Sequence, residues 1–222
     1  MPRGTRNAGT VNELDPITRR RLEDMTEELL AEHGDRVDPD AIRALMADSA
    51  RRLAASAALA DFLPALAYRL TKERLLSGAR TRGEQGRARD IVFVSLHGGG
   101  RGQIAAALTA HLAGDCVEVH WAGTAPRGRI DPAVAAAIAE RGIDVDAAYA
   151  PPITPEVLAG TDVVVTMGHS VGVFEIPDGA RHEDWRIGDP VGAPIEEVRR
   201  VGADIEYRVR ALLESLGIDP WA

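Results

Sequence analysis

The stretch Ile91-Val92-Phe93-Val94-Ser95-Leu96-His97-Gly98-Gly99-Gly100-Arg101-Gly102 decides how the chain is read. Four apolar β-formers in a row, without polar alternation, describe a strand covered on both faces. A glycine-rich turn follows it at once, and then a helix with Ile104, Ala105, Leu108 and Leu112 on one face, stopped by Gly114. Strand, tight turn and helix in this order make the first half of a βαβ unit. Working outward, VEVHW (117–121) reads as a second strand, and Asp131-Pro132 caps a helix carrying Val134 and Ile138 that ends at Gly142. Thr154-Pro155 opens a short helix, DVVVTM (162–167) is another buried strand, and residues 183–187 supply a candidate fourth. A long amphipathic helix of about 194–216 closes the unit with Val198, Val201, Ile205, Val209, Leu212 and Leu213. The expected fold class is α/β, a parallel sheet with helices on both faces over residues 91–218. Ligands on such sheets bind beyond the carboxyl ends of the strands, which points to loops 95–102 and 168–178.

Upstream, residues 1–14 are polar and aperiodic and read as a disordered tail. Asp15-Pro16 and Asp38-Pro39 each supply an N-cap and a proline at the first helical position. Leu22, Met25 and Leu29, then Ile42, Leu45, Met46, Ser49 and Leu53, follow at helical spacing. Phe62 and Leu63 before Pro64, with Leu66, Ala67 and Leu70, mark a third helix. Residues 15–76 are thus expected to form a three-helix bundle. A bundle this small has little core of its own, so it is expected to borrow burial from a second copy, giving a homodimer, or else from its own second domain. SGARTRGEQGRARD (77–90) has no large apolar side chain and reads as a linker.

The chain has 222 residues and a net charge of −8. That charge is unevenly placed: residues 1–89 carry 16 basic and 14 acidic side chains, residues 90–222 carry 10 and 20. An acidic main domain repels a phosphate backbone, so nucleic acid is not an expected partner. No apolar run reaches the roughly 18 residues of a membrane span, and the N-terminus lacks a secretory apolar core, so the protein reads as cytoplasmic with no membrane partner. The single cysteine, Cys116, excludes an internal disulfide or a cysteine-built zinc site, and the six histidines show no metal-ligand spacing. Neither a cofactor nor a metal is expected. Cys116 opens the second strand, where it reads as a small buried hydrophobe at the strand end opposite the glycine-rich loop.

In that loop three glycines let successive backbone N–H groups turn inward at a helix N-terminus, and Arg101 offers a bidentate fork. Ser95, Leu96, His97, Gly98, Gly99, Gly100, Arg101 and Gly102 are therefore the candidate oxyanion-binding residues of a phosphate-cradling P-loop. The spacing is neither G-x-x-x-x-G-K-[ST] nor G-x-G-x-x-G. A purely structural turn is the alternative reading of the glycines.

These residues resemble the low-molecular-weight protein tyrosine phosphatase family and its arsenate reductase branch, whose loop is Cys-x5-Arg-Ser directly after the first strand. The likeness extends through WAGTAP (121–126), DPAVAAAIAERGIDV (131–145), TDVVVTMG (161–168) and DWRIGDPVG (184–192), and so covers nearly all of residues 90–216. The helices upstream resemble the three-helix dimerisation domain fused ahead of some arsenate reductase-like proteins. The resemblance implies that Asp189, in the Asp-Pro loop, occupies the position of the acid that protonates the leaving oxygen, and that Arg101 binds the oxyanion. It further implies that position 95 holds the nucleophile, and Trp185 is a candidate cleft wall or a residue packing the Asp-Pro loop in place.

Three departures change the expected chemistry. Ser95 stands where the family has its cysteine, and a hydroxyl stays protonated where a thiol of pKa about 8.5 is readily ionised. Gly102 stands where the family has a serine. The segment after TMG, where reductase relatives carry further thiols, is here HSVGVF (169–174). A serine at 95 is also what a trapping substitution would leave, but three departures together read as natural divergence. The expected function is a degenerate, oxyanion-binding, regulatory homologue. An active phosphatase or arsenate reductase-like transferase using Arg101 and Asp189 is the enzyme alternative. His97, at the loop rim, is a candidate contact or base. A serine hydrolase is a weaker alternative, resting on His97-Gly100 and on Gly168-His169-Ser170-Val171-Gly172, because only His182 follows Ser170 and its acids would have to be Glu175 or Asp178. A pure assembly module with a vestigial loop is the remaining class.

Overall fold

The computed structural model describes residues 14–54, 62–80, 88–126, 130–143, 150–168 and 174–220. The polar tail expected at 1–14 lies outside them apart from Leu14. The chain divides into two compact units, Met1–Leu76 and Ser77–Ala222.

The first unit is helical. Helix α1 (Pro16–His33) starts on the Asp15 carboxylate, which accepts from the N–H groups of Ile17 and Thr18 at 3.0 and 3.1 Å. Helix α2 (Pro39–Ala54) and helix α3 (Leu63–Arg80) follow. Leu29, Ile42, Met46, Leu53, Ala67 and Leu70 are buried between them. One charge is buried with this core: Arg74 is paired with Asp48 at 2.9 Å and donates to Ser49 Oγ at 3.0 Å. An ion pair of this kind fixes the register of α2 against α3, because slipping either helix would leave the guanidinium desolvated and unmatched. Phe62, expected to help mark the third helix, stands before it and is 56% exposed. Of the segment expected as a linker at 77–90, residues 81–87 lie outside the described residues. Helix α3 continues to Arg80, and strand β1 already begins at Arg89.

The second unit contains β1 (Arg89–Ser95), α4 (Arg101–Ala113), β2 (Val117–Gly123), α5 (Pro132–Ala139), α6 (Pro155–Ala159), β3 (Val163–Met167), β4 (Arg181–Trp185) and α7 (Ile195–Ser215). The strands form one four-stranded sheet in the order β2-β1-β3-β4, and every pairing is parallel. The fourth strand lies two residues earlier than the 183–187 expected, with its exposed Arg181 and His182 on an edge. Alternation along β1 sends Ile91 and Phe93 to one face and Val92 and Val94 to the other. The first face carries the main core, with Ile104 and Leu108 of α4, Val134 and Ile138 of α5 and Val198, Ile205 and Val209 of α7. The second is covered more thinly, by Val157 and Leu158 of α6 with Ile153, Phe174 and Ile176. Both proline-opened helices are capped in the expected way, α5 by Asp131 Oδ1 at 2.8 Å from the Ala133 nitrogen and α6 by the Thr154 hydroxyl.

Cys116 corrects an expectation. It does lie at the end of the sheet remote from the loop, since Arg89 is paired with Val117 and Ser95 with Gly123, but it is exposed. The 3-10 turn Gly114–Cys116 intervenes between α4 and β2, so the residue precedes the strand and never enters the core.

Phe93 has no exposed surface and meets Trp185 at 5.7 Å between ring centroids, in the middle of the main core. Phe93→Ala is expected to destabilise the second unit by about 3–5 kcal/mol, the usual cost of an aromatic-sized cavity, read from urea denaturation followed by Trp121 and Trp185 fluorescence.

Candidate oxyanion site

Strand β1 is where the chain order of the sheet reverses. Strand β2 lies on one side of it and β3 on the other, so the crevice at its carboxyl end is the topological switch point of the fold. Residues Ser95–Gly102 fill that crevice. Ser95, the last residue of β1, is 2% exposed, and its Oγ accepts from the Gly98 N–H at 3.1 Å. Among the described residues no His, Asp or Glu side chain hydrogen-bonds that hydroxyl. The turn then reverses through Gly98, whose φ of +70° lies in the left-handed region and whose face is pressed on Ala150; a Cβ there would fall 2.7 Å from the Ala150 Cβ. Backbone bonds tie the loop to the segment after β2, from Thr124 N–H to Ser95 O at 3.1 Å and from Ala125 N–H to Leu96 O at 2.7 Å.

Arg101 opens α4, and its side chain is 10% exposed. The guanidinium crosses to the ends of the other strands. Its Nη1 donates to the Ile187 carbonyl at 2.9 Å, and its Nη2 lies 3.5 Å from Asp189 Oδ2. Gly168, directly after β3 with φ +94°, is flat against it: a Cβ at 168 would fall 2.0 Å from Nη1. Asp189 is held in turn, its Oδ1 accepting from the Val191 N–H at 3.2 Å. The Asp-Pro loop sits directly on the turn, since a Cβ on Gly100 would come within 2.9 Å of Val191 Cγ2 and 3.3 Å of Pro190 Cγ. Asp131 fixes that loop from a third side by accepting from the Gly192 N–H at 2.9 Å with the oxygen that is not capping α5.

The structure therefore brings Ser95, Arg101 and Asp189 together at one crevice, with the glycines beneath them. His97 is at the rim and half-buried. Its Nδ1 is 3.0 Å from the Ala125 carbonyl, which requires a proton on that nitrogen. Of the two readings of Trp185, the cleft wall is overturned: it is 4% exposed, lies in the main core against Phe93 and donates its indole N–H to Glu183 at 2.8 Å, which leaves a packing role. Gly102 has room for more. A Cβ there meets Phe93 O and Ser95 Oγ at 3.5 Å, ordinary contact distances, so space does not forbid a serine at that position.

Three contributors escaped the sequence reading. The Ile187 carbonyl is a main-chain group that carries no side-chain signal. Gly168 and the second oxygen of Asp131 were visible only as a strand end and a helix cap. For the hydrolase alternative, Ser170 lies outside the described residues, and His182 is on β4 with Nε2 3.0 Å from Thr166 Oγ1. No cluster of metal-ligating side chains occurs among the described residues, and none of their helices is long and apolar enough to cross a membrane.

Comparison with known proteins identifies relatives of this fold. A thioredoxin-dependent arsenate reductase from Corynebacterium glutamicum superposes with a TM-score of 0.79 at 30% identity, over 89% of this chain and 97% of that one. A solved arsenate reductase in its phosphate-binding state matches with a TM-score of 0.51 at 26% identity, over 57% of this chain and 98% of that one. A protein from Halobacterium salinarum described as a putative arsenate reductase is 29% identical over 132 residues, 57% of this chain and 92% of its own length. Residues 90–220 match the family described as low molecular weight phosphotyrosine protein phosphatase, and the chain belongs to that family.

Proposed function

We propose that this chain is a degenerate member of its family that binds a phosphate- or arsenate-like oxyanion at Ser95–Gly102 and regulates rather than turns over. The observation that carries the reading is Ser95 itself, buried at the base of the loop with its oxygen accepting from a backbone N–H. Inward N–H groups and an arginine can lower a thiol's pKa from about 8.5 to below neutrality. A hydroxyl starts many units higher and needs a hydrogen-bonded base to be activated, as serine enzymes provide. Ser95 Oγ has no such partner among the described residues, while the groups that hold an oxyanion, the glycine turn and Arg101, are all in place. Regeneration through thiols has no path in this chain either, because its one cysteine is at the other end of the sheet.

The enzyme reading, a phosphatase or arsenate reductase-like transferase with Asp189 as acid, is supported by the 3.5 Å approach of Asp189 to Arg101. Isothermal titration with phosphate, arsenate and sulfate is expected to show binding by the wild type. Arg101→Ala should weaken it by about 10- to 100-fold, the worth of a charge-assisted hydrogen bond or two. No binding by the wild type would favour an assembly role for the chain. In a phosphatase assay the serine protein is expected to be silent, and Ser95→Cys combined with Gly102→Ser, for which the structure has room, is expected to gain turnover. Turnover by the serine protein would establish the enzyme reading instead.

Homodimerisation through the first unit is part of the same proposal. A furrow of about 350 Å³ between α1 and α2 is floored by the buried Leu22 and Met46 and by Ala47, with Arg19, Arg43, Glu23 and Glu27 also lining it. Mixed charge around a small apolar strip suits a self-complementary contact. Sedimentation equilibrium of the full chain is expected to give a dimer, and Ala47→Arg a monomer with unchanged oxyanion binding. A monomeric wild type would remove dimerisation from the proposal.

A further inference from the structure

The loop carries one ionisable side chain besides Arg101, and its ring is held so that a single nitrogen is left to exchange a proton. His97 lies within Ser95–Gly102 and is half-buried. Its Nδ1 is 3.0 Å from the Ala125 carbonyl oxygen, which can only accept, so that nitrogen bears a proton whether the ring is neutral or charged. Uptake and release are therefore confined to Nε2. The anchor belongs to the framework of the loop itself, since the Ala125 N–H donates to the Leu96 carbonyl at 2.7 Å and the Thr124 N–H to the Ser95 carbonyl at 3.1 Å. The backbone of His97 is fixed as well: a Cβ on Gly123 would fall 2.9 Å from its carbonyl carbon. A proton on Nε2 thus changes the charge of the ring without requiring it to move.

The charged side chains around the crevice show what that change does. Arg101 brings a positive charge, and Asp189, 3.5 Å from the guanidinium, matches it with a negative one. Asp131, held on the Gly192 N–H of the Asp-Pro loop, adds a second negative charge. Arg186 and Asp184, in the chain just before that loop, are 3.7 Å apart and cancel. The segments packed on the loop from the other side, residues 123–126 and 150–154, carry no charged side chain. With the His97 ring neutral, these described groups sum to a net negative charge, and only the backbone N–H groups and the start of α4 favour an anion. With the ring protonated, the same groups sum to zero.

Resting on the oxyanion-binding reading, we propose that His97 sets the charge selectivity of the site: with Nε2 protonated, the loop binds doubly charged tetrahedral oxyanions more tightly than with Nε2 bare. The ring is one side-chain length from its own backbone N–H in the loop, inside the Debye length of about 8 Å at physiological ionic strength, so its charge is felt there. At a given distance a unit charge acts twice as strongly on a dianion as on a monoanion. Binding strengthens as pH falls, and by reciprocity a bound dianion raises the affinity of the ring for its proton.

Sulfate is the probe, because its charge is constant between about pH 8 and pH 5, the range in which imidazole is the side chain that changes charge, whereas inorganic phosphate gains a proton there. Isothermal titration of the full chain at low ionic strength is expected to show sulfate binding about tenfold tighter at the lower pH. Methyl sulfate, a singly charged tetrahedral analogue, should gain only about threefold. His97→Gln, whose amide can keep the bond to Ala125, should bind sulfate at both pH values as the wild type does at the higher one. His97→Lys, charged throughout, should bind at the higher pH about as tightly as the wild type at the lower. In the wild type, the titration of the His97 ring, followed by NMR and assigned by its loss in His97→Gln, should move to higher pH when sulfate is added. Equal sulfate affinity at both pH values, an undiminished pH dependence in His97→Gln, equal gains for sulfate and methyl sulfate, or an unmoved ring titration would overturn the role of His97 and leave the oxyanion reading standing. A site that takes phosphate but refuses sulfate at both pH values would also overturn it, because selectivity set by charge admits both dianions. Failure of the wild type to bind sulfate, phosphate or arsenate at either pH would overturn the oxyanion reading beneath it.

Discussion

The burial of one guanidinium organises the functional end of this fold. Arg101 is almost wholly removed from solvent, yet its charge is not lost in an apolar pocket. It is met by the Ile187 carbonyl, by Asp189 and by the flat backbone of Gly168. These partners come from the ends of β4 and β3, while Arg101 itself follows β1. A charge so placed is strongly penalised unless its partners stay in position, so the loops are locked to one another through it. Any side chain at 168 would displace the guanidinium. The positive φ at Gly168 and the position of the Asp-Pro loop are thus two consequences of the same requirement.

Much of this end was legible in the sequence, because the relevant signals are local. An unbroken apolar β1, the glycine run and the proline-opened helices each state their conformation within a few residues. The parallel sheet follows from their alternation. Asp131 and Thr154 cap the helices they precede, and Ser95, Arg101 and Asp189 converge as the motif order implied. What could not be read was long-range and main-chain: the Ile187 carbonyl as a partner of Arg101, and the second oxygen of Asp131 on the Gly192 N–H. Burial was missed for another cause. Cys116 was expected as a small buried hydrophobe opening the second strand, but a three-residue turn holds it out of β2. Pairing of β4 two residues earlier than expected makes Trp185 the strand's last residue, with its ring on Phe93. Register and turn length decide burial, and neither is encoded by a single position.

The two faces of the sheet are covered unequally, and that asymmetry separates stability from recognition. Helices α4, α5 and α7 make one face a closed core, in which Phe93, Ile138 and Ile205 are fully buried. Among the described residues the other face has the five-residue α6 and an irregular segment over it, with Ile153, Phe174 and Ile176 partly buried. A loop resting on the closed core can be rigid, and a thinly covered face next to it can offer surface.

The placement of the single thiol completes the argument about chemistry. Ser95 is paired with Gly123, and Cys116 directly precedes Val117, so a seven-residue strand separates them. At 3.3 Å per residue that is about 20 Å, roughly three times the span a disulfide can bridge between α-carbons. Cys116 cannot substitute for a nucleophile at position 95, nor resolve an adduct formed there, without unfolding β2. On the proposed reading, the loop surrounds an oxygen that its N–H groups and Arg101 are too weak to ionise, and what they would still do is hold an anion that arrives already charged.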